Sequence, residues 1–131
     1  MSLENILSIT GKPGLYQLKS KAKNGFVVES LLDKKTSIVG INHNVSVLKD
    51  ISIYTYTKEM PLKVVLKKIA EKETNGPAIN HKVGKKELEN YFNEVLPDYD
   101  EERVYASDIK KVIQWYNLLQ DNDLLGALEE E

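Results

Sequence analysis

The stretch that decides the fold is NGFVVESL, residues 24–31. Asn-Gly is the preferred pair for a two-residue type I′ hairpin turn, because both residues tolerate a positive φ angle. The residues that follow are rich in β-branched and aromatic side chains, which favours a strand. The sequence therefore predicts a β-hairpin, with strands over residues 15–20 and 26–31.

Three more short strands are predicted after this hairpin, over residues 36–41, 45–48 and 51–57. Five short strands joined by tight turns are typical of a small, strongly bent antiparallel barrel of the SH3-like kind. An open meander covered by a helix is the alternative. On the other side of the hairpin, the apolar spacing of residues 2–9 predicts a short N-terminal helix.

The apolar pattern changes to that of helices after the last strand. Apolar residues in the stretch 62–69 follow the i, i+3, i+4, i+7 rule. Gly76 then supplies a left-handed cap and Pro77 forbids continuation of this helix. Two further helices are predicted over residues 85–96 and from Ser107, as the N-cap, to about residue 120.

The sequence thus predicts an α+β protein with three parts. An SH3-like antiparallel β-barrel domain occupies residues 1–60 and includes the short N-terminal helix. An amphipathic helix over 61–76 connects it to a C-terminal helical module over 77–131, which ends in an acidic tail. Residues 1–70 carry 11 basic and 5 acidic side chains, and residues 71–131 carry 7 and 15, although the whole chain has a net charge of −2. This opposite charge indicates two modules with different contacts.

The composition excludes several classes of protein. The chain has no cysteine, so it has no disulfide and no cysteine nucleophile, as expected in a reducing compartment. The first residues lack the basic and then apolar pattern of a secretory signal, and no stretch has the length of a membrane span. We expect a cytoplasmic protein without a membrane contact.

Two short motifs resemble ligand-binding loops and fail their requirements. Residues 11–14, GKPG, lack the first glycine and the Ser/Thr of a phosphate-binding P-loop, which predicts a simple turn. The acidic residues 98–102 resemble a Ca²⁺ loop, but Arg103 and Ile109 occupy its glycine and bidentate glutamate positions. We interpret this segment as a solvated loop.

No catalytic or metal site is predicted. His43 and His81 each lie in a polar, turn-like segment without a second ligand at metal spacing. The chain also lacks the Gly-x-Ser-x-Gly motif of a nucleophile elbow. We therefore expect a non-enzymatic protein with no metal, no cofactor and no small-molecule substrate.

The basic half contains one candidate binding surface. Exposed lysines and aromatic side chains together can bind single-stranded nucleic acid on small barrels. The candidates are Lys12, Lys19, Lys21, Lys23, Lys34, Lys35, Tyr16, Tyr54 and Tyr56. The alternative is that the lysines only solvate the surface and protect sheet edges. Arginine, which recognises phosphates and bases most specifically, is absent from this half.

The acidic half contains a second candidate surface. Tyr99, Tyr105 and Trp115 could anchor a protein partner, because aromatic residues are enriched at protein interfaces. The alternative is that Trp115 packs between the helices and the barrel. We expect a binding or adaptor protein that contacts a protein or a second copy of itself, with nucleic-acid binding as the alternative.

Several strings in this sequence resemble an uncharacterised family of small Bacteroidetes proteins. The strings are ITGKPGLY (9–16), DISIY (50–54), VLPDYD (95–100), SDIKK (107–111) and WYNLL (115–119). The resemblance covers almost the whole chain. It implies a small β domain followed by helices and a bacterial cytosolic setting, and it implies no activity and no catalytic residues.

Overall fold

A computed structural model describes residues 5–12, 14–40 and 44–128. It shows an α+β chain with a five-stranded antiparallel sheet, a two-stranded sheet and three helices. In chain order the elements are β1 (Ile6–Ile9), β2 (Tyr16–Ala22), β3 (Gly25–Ser30), β4 (Thr36–Gly40), β5 (Val45–Val47), β6 (Ser52–Tyr54), β7 (Glu59–Pro61), α1 (Leu62–Glu73), α2 (Lys85–Val95) and α3 (Ala106–Asp121).

The five-stranded sheet has the strand order β4-β3-β2-β1-β5, and all neighbouring strands are antiparallel. Four of the predicted strands are confirmed as β2 to β5. Strands β4 and β5 form the two edges, and among the described residues they do not pair with each other. The sheet is therefore not a closed barrel in the described part of the chain.

The predicted N-terminal helix is wrong, because Ile6–Ile9 form strand β1 in the middle of the sheet. Leu7 lies opposite Tyr16 of β2 and Val47 of β5. Ile6 is buried on one face of the sheet, and Leu7 and Ile9 are buried on the other. A short apolar run that is covered on both faces cannot be distinguished from a helix by its spacing alone. Residues 2–4 of the predicted helix lie outside the described residues.

The strand predicted over residues 51–57 is also wrong in its extent and in its place. Ser52–Tyr54 form β6, which pairs with β7 in the separate two-stranded sheet. The hydroxyl of Thr55 donates to the carbonyl of Lys58 at 2.7 Å and accepts from its N–H at 3.0 Å. This local pairing turns the chain back after Tyr54. In the five-stranded sheet, β1 is the strand that pairs with β5.

The hairpin around Asn24-Gly25 is confirmed, but its predicted turn type is wrong. The two turn residues are Lys23 and Asn24, and Gly25 already pairs within β3. Neither Asn24 nor Gly25 has a positive φ angle. A Cβ atom on Gly25 would lie 2.1 Å from the carbonyl oxygen of Val39. Glycine is required here because β4 approaches closely.

Apolar side chains form two separate clusters on the two faces of the sheet. The main core joins one face to the three helices and includes Ile6, Leu48, Phe92 and Tyr116. The sheet cluster lies on the opposite face, and no helix residue belongs to it. Its buried members are Leu7, Ile9, Val28 and Val39.

The three predicted helices are confirmed, with two differences at their ends. Thr74 and Asn75, rather than Gly76, adopt the left-handed conformation after α1. The N-cap of α3 is Tyr105, not Ser107. The reason is that the Asp108 carboxylate accepts a hydrogen bond from the backbone N–H of Tyr105 at 3.0 Å, which fixes the start of the helix there.

Side chains of α3 hold the polar segment between α1 and α2. The Asn117 amide accepts from the N–H of Ala78 at 2.7 Å and donates to the carbonyl of Ile79 at 3.0 Å. The Tyr116 hydroxyl donates to the carbonyl of Gly76 at 2.7 Å. This segment therefore packs on α3. The division of the chain at residues 60 and 76 stays a prediction.

Candidate functional site

Three adjoining pockets are lined by residues of α3, and we name them together the α3 groove. The lysine pocket has a volume of about 310 Å³ and lies between α3 and the sheet. The tyrosine pocket, of about 230 Å³, shares Lys111 and Trp115 with it. The leucine pocket, of about 280 Å³, shares Gln114 with the lysine pocket. The shared residues lie on successive turns of one helix, so the pockets follow α3 in the order tyrosine pocket, lysine pocket, leucine pocket.

Polar side chains keep the lysine pocket open. Ser8 of β1 and Ser46 of β5 are directly opposite each other in the sheet. Both lie on the face of β1 that carries Ile6, because side chains two residues apart share a face. Where Ile6 closes the main core, the two serines leave a polar space under α3. The polar lining residues are Ser8, Thr10, Lys12, Ser46, Lys111 and Gln114.

The lysine pocket is positively charged. Lys12 comes from the turn after β1 and Lys111 comes from α3, and both are exposed. None of the described residues that line this pocket is acidic. The two ammonium groups therefore face no lining carboxylate, which favours an anionic ligand.

The tyrosine pocket is mainly apolar, and its charged lining residues are Arg103, Lys111 and Asp108. Ile53, Val104 and Val112 line it together with Tyr54 and Arg103. The Arg103 guanidinium lies 5.1 Å from the centre of the Tyr54 ring. Such a contact holds the ring against the margin of the pocket. This pocket can accept an apolar side chain.

The leucine pocket combines an exposed leucine with the only described histidine. Leu32 is 49% exposed and lines the pocket beside Leu118 and His81. Burial lowers the pKa of His81, and the positive charges of Lys110 and Lys82 lower it further. The imidazole is therefore neutral at physiological pH. Gly14 has a φ of +76°, and a Cβ atom there would lie 2.7 Å from the end of Leu32.

The structure divides the predicted lysine surface into separate groups. Lys12 lines the lysine pocket. Lys19 forms an ion pair with Glu29 at 3.1 Å. Lys21 and Lys23 lie at the turn between β2 and β3, at one end of the sheet.

Lys34 and Lys35 lie at the other end of the sheet, in the turn that follows β3. The Lys35 N–H donates to the Asp33 carboxylate at 3.0 Å, and Lys34 has a φ of 63°. The six lysines are all exposed, but they do not share one face.

The predicted aromatic partners of these lysines lie elsewhere. Tyr16 is half-buried against the sheet cluster. Tyr54 and Tyr56 lie beside the acidic loop 98–102, where the Tyr56 N–H donates to the carbonyl of Asp98 at 3.0 Å. The N–H of Asp100 donates to the carbonyl of Tyr54 at 2.9 Å. The base-stacking surface expected from the sequence is therefore not assembled next to the basic hairpins.

The second predicted surface is largely buried. Tyr99 is 3% exposed and contacts Phe92 edge to face, with ring centres 5.0 Å apart. Trp115 is 8% exposed and lies on the side of α3 that faces the sheet, where it lines two pockets of the groove. Tyr105 is 63% exposed and is available for contacts. Of the predicted site residues, the structure brings Lys12, Tyr54 and Trp115 together in the α3 groove.

The sequence predictions missed most of the polar residues of this groove. Ser8 was placed in the wrong element, and Ser46 is an isolated polar residue in a strand. Lys111 and Gln114 belong to a pattern that predicts only a helix. A signal was available in the strand that contains Ser46, since a serine between two valines at 45 and 47 faces the side opposite to theirs.

The described residues contain no candidate metal site and no candidate membrane span. No group of three or more histidine and acidic side chains there is arranged to hold a metal ion. No described helix is both long and apolar enough to cross a membrane. His43 lies outside the described residues.

The acidic loop is held by its own contacts. Arg103 contacts Asp100 at 3.5 Å, and the Asp100 carboxylate also accepts a hydrogen bond from the N–H of Glu102.

Two domain families match this chain in succession. The family described as "Domain of unknown function (DUF6852)" matches residues 51–119. The chain belongs to the DUF6852 family. A second one, "Domain of unknown function (DUF5606)", matches residues 3–48, which contain the five-stranded sheet. The α3 groove of this DUF6852 protein therefore lies where the two matched segments meet.

A solved structure supports the same relationship. A protein of Bacteroides vulgatus, determined by solution NMR in the Northeast Structural Genomics Consortium, is 46% identical to this DUF6852 protein. The match has a TM-score of 0.77 and covers 93% of this chain and 88% of that chain. The resemblance to an uncharacterised Bacteroidetes family is confirmed. Among curated proteins, none matches the chain.

Proposed function

We propose that this DUF6852 protein is a non-enzymatic binding or adaptor protein whose α3 groove holds an extended, acidic segment of a protein partner. The observation that carries the proposal is that the three pockets follow one another along α3 through shared lining residues, with the two lysines in the middle pocket. The partner is a cytoplasmic protein in this proposal, in keeping with the absence of cysteine.

The dimensions of the groove suit a peptide. Its lining residues on α3 run from Asp108 to Asp121. At the helical rise this is about 20 Å, the length of about six residues of extended chain. The tyrosine and leucine pockets at its two ends suit apolar side chains, with Tyr54 and Leu32 exposed for contact. Exposed apolar side chains beside a polar centre are typical of an interaction site.

The titratable groups support binding rather than catalysis. Burial raises the pKa of Tyr91, Tyr99 and Tyr116, and it lowers the pKa of His81. Tyr91 and Tyr116 lie in the main core, and His81 lies in the leucine pocket. An active site normally gathers its perturbed groups in one pocket.

The proposal includes an SH3-like barrel for the five-stranded sheet. Strands β1 to β4 follow one another in the sheet, and β1 pairs with β5. The buried residues of the sheet cluster have no helix residue among them, although they are almost inaccessible to water. A small sheet buries one face without a covering layer when it curls around that face. The register of the β2–β3 pairing shifts between Leu18 and Ser20, and such an irregularity bends a strand.

Single-stranded nucleic acid remains the alternative ligand. The exposed Lys21 and Lys23 at the hairpin favour it, since they form no ion pair among the described residues. The location of Tyr54 and Tyr56 beside the acidic loop favours it less, because bases would need aromatic faces close to the lysines.

The experiment is a binding titration that uses Trp115 as the probe. It is the single tryptophan of the chain and lines two pockets, so its fluorescence reports on the groove alone. The ligands are a library of short peptides with a central glutamate and apolar flanks, and a single-stranded RNA of mixed sequence. The proteins are the wild type, Lys111→Glu, and the control Lys86→Glu, which changes the same charge on an exposed residue of α2 outside the groove.

We expect members of the peptide library to change the emission of Trp115. Lys111→Glu should weaken this binding at least about tenfold, because a charge-assisted hydrogen bond is worth roughly 1.5 to 3 kcal/mol, and Lys86→Glu should not. Peptide binding that is equal in both variants would contradict the proposal. RNA binding is measured separately by the fluorescence anisotropy of a labelled RNA. RNA binding that falls steeply with salt and responds to Lys21→Glu, while no peptide binds, would also contradict the proposal.

A further inference from the structure

The lysine pocket contains more hydrogen-bond donors than a single carboxylate can use. Lys12 and Lys111 supply two ammonium groups, and Ser8, Thr10 and Ser46 supply three hydroxyls. Gln114 adds an amide. Neither lysine forms an ion pair with another described residue. These groups are brought together by β1, β5, the turn after β1 and α3, so the site depends on the tertiary fold rather than on a P-loop.

The charge of this set matches a phosphate monoester. Such a group carries about −1.5 to −2 charges at neutral pH and three oxygens that accept hydrogen bonds. A carboxylate carries one charge and has two oxygens, so it would leave one lysine and several donors without an anionic partner. Lysine is a common phosphate ligand as a point charge. The absence of lining carboxylates removes the repulsion that a dianion would otherwise meet.

The surroundings indicate what carries the phosphate. Trp115 and Ile51 line both the lysine pocket and the neighbouring tyrosine pocket. A phosphorylated residue in the lysine pocket would therefore have the next apolar side chains of its chain close to Ile53 and Val112. The adjoining pockets suit a phosphorylated side chain within a peptide.

We propose that the lysine pocket binds a phosphate monoester, carried by a phosphoserine or phosphothreonine of the protein partner. This inference rests on the proposed function, because it names the group that the α3 groove recognises. The same chemistry could come from a small phosphorylated metabolite, and the experiment separates the two sources.

The test uses three peptide libraries with identical apolar flanks and a fixed central phosphoserine, glutamate or serine. Free O-phosphoserine and inorganic phosphate are titrated in parallel. The readout is again the emission of Trp115 in the full chain. The proteins are the wild type, Lys12→Ala, Lys111→Ala, Ser46→Ala and the control Lys86→Ala, an exposed lysine of α2 outside the groove, and circular dichroism verifies that each variant is folded.

We expect the phosphoserine library to bind about tenfold more tightly than the glutamate library, since the second charge adds one further charge-assisted contact. Lys12→Ala and Lys111→Ala should each remove about this tenfold preference. Ser46→Ala should reduce it by a smaller factor, and Lys86→Ala should leave it unchanged.

The outcomes separate this inference from the proposed function. Equal binding of the phosphoserine and glutamate libraries overturns the phosphate site and leaves the proposed function intact. A phosphate preference that persists in both lysine variants overturns the site as well. Binding of inorganic phosphate or O-phosphoserine as tight as that of any peptide assigns the pocket to a small molecule, which overturns the partner and retains the phosphate chemistry. If no ligand of any kind changes Trp115, both proposals are wrong.

Discussion

Two residues of β1 show how closed and open regions of this molecule differ. Ile6 and Ser8 lie on the same face of the strand, both toward the helices. Ile6 is fully buried in the main core, whereas Ser8 lines the lysine pocket opposite Ser46. The groove is therefore not a failure of packing. It results from serine at two opposed positions where apolar residues would close the sheet against α3.

The largest effect on stability is expected from the replacement of Ile6 by alanine, and the same replacement of Ser8 provides the comparison. Ile6→Ala should lower the free energy of unfolding by about 2 to 5 kcal/mol, because it leaves a cavity in the main core. Ser8→Ala should change it by no more than about 0.5 kcal/mol, since the hydroxyl borders an open pocket. Urea unfolding of both variants measures the difference. An equal loss in the two variants would show that the groove is as tightly packed as the core.

A smaller effect on stability is expected from Tyr91, which lies in the main core. Its hydroxyl donates to the Glu73 carboxylate, and the Lys72 ammonium lies 5.5 Å from the centre of its ring. Lys72 is itself held by Glu94 at 3.0 Å. Tyr91→Phe should lower the free energy of unfolding by about 1 to 3 kcal/mol, because the half-buried carboxylate loses its partner. Urea unfolding at neutral pH measures this, with Tyr105→Phe on the surface as the control.

Tyr91 also contributes to the way in which the free energy of unfolding changes at alkaline pH. Burial first, and the Glu73 hydrogen bond second, raise the pKa of Tyr91 above its usual value of 10.0. The folded state then keeps a proton that the unfolded state releases, so the stabilisation is present below about pH 10 and is lost as the pH rises further. Unfolding measured over this range should show a shallower decline for Tyr91→Phe than for the wild type. An unchanged slope would remove Tyr91 as its source.

The smallest effect is expected from His81 in the open groove. Its pKa is lowered by burial and by Lys110 and Lys82, so the folded state favours the neutral ring. This contribution is present above the usual value of 6.5 and is lost as the pH falls through the lower pKa of the folded state. His81→Asn should therefore flatten the acid side of the stability profile slightly. NMR titration of the imidazole measures the pKa directly, and a value above that of a free histidine would contradict the environment described for the leucine pocket.

The sequence predicted those features that depend on local pattern. The hairpin at residues 23–25 and the helix spacing of α1 to α3 are set by neighbours along the chain. Strand β1 was missed because its pairing with β2 and β5 exists only in the folded sheet and has no counterpart in the local sequence pattern. The early end of β6 depends on one side-chain contact, between Thr55 and Lys58.

The candidate site could be predicted only in fragments for the same reason. Lys12 and Trp115 were selected on separate grounds, and their meeting in one pocket depends on how the sheet packs against α3. The lysines at 21, 23, 34 and 35 are close in sequence, but the strands carry them to opposite ends of the sheet. Proximity in sequence therefore overestimated the basic surface. Of the groove residues that were missed, Ser46 had a local signal between two valines, whereas Ser8 and Lys111 had none.

Chemical-shift mapping tests the central claim most directly. The ¹⁵N-labelled full chain is titrated with the glutamate-centred and the phosphoserine-centred peptide libraries. We predict that the largest changes fall on Ser8, Thr10, Gln114 and the indole N–H of Trp115, all of which line the α3 groove. Changes confined to the hairpin that carries Lys21 and Lys23, with the Trp115 indole unmoved, would contradict the assignment of the binding site to this groove.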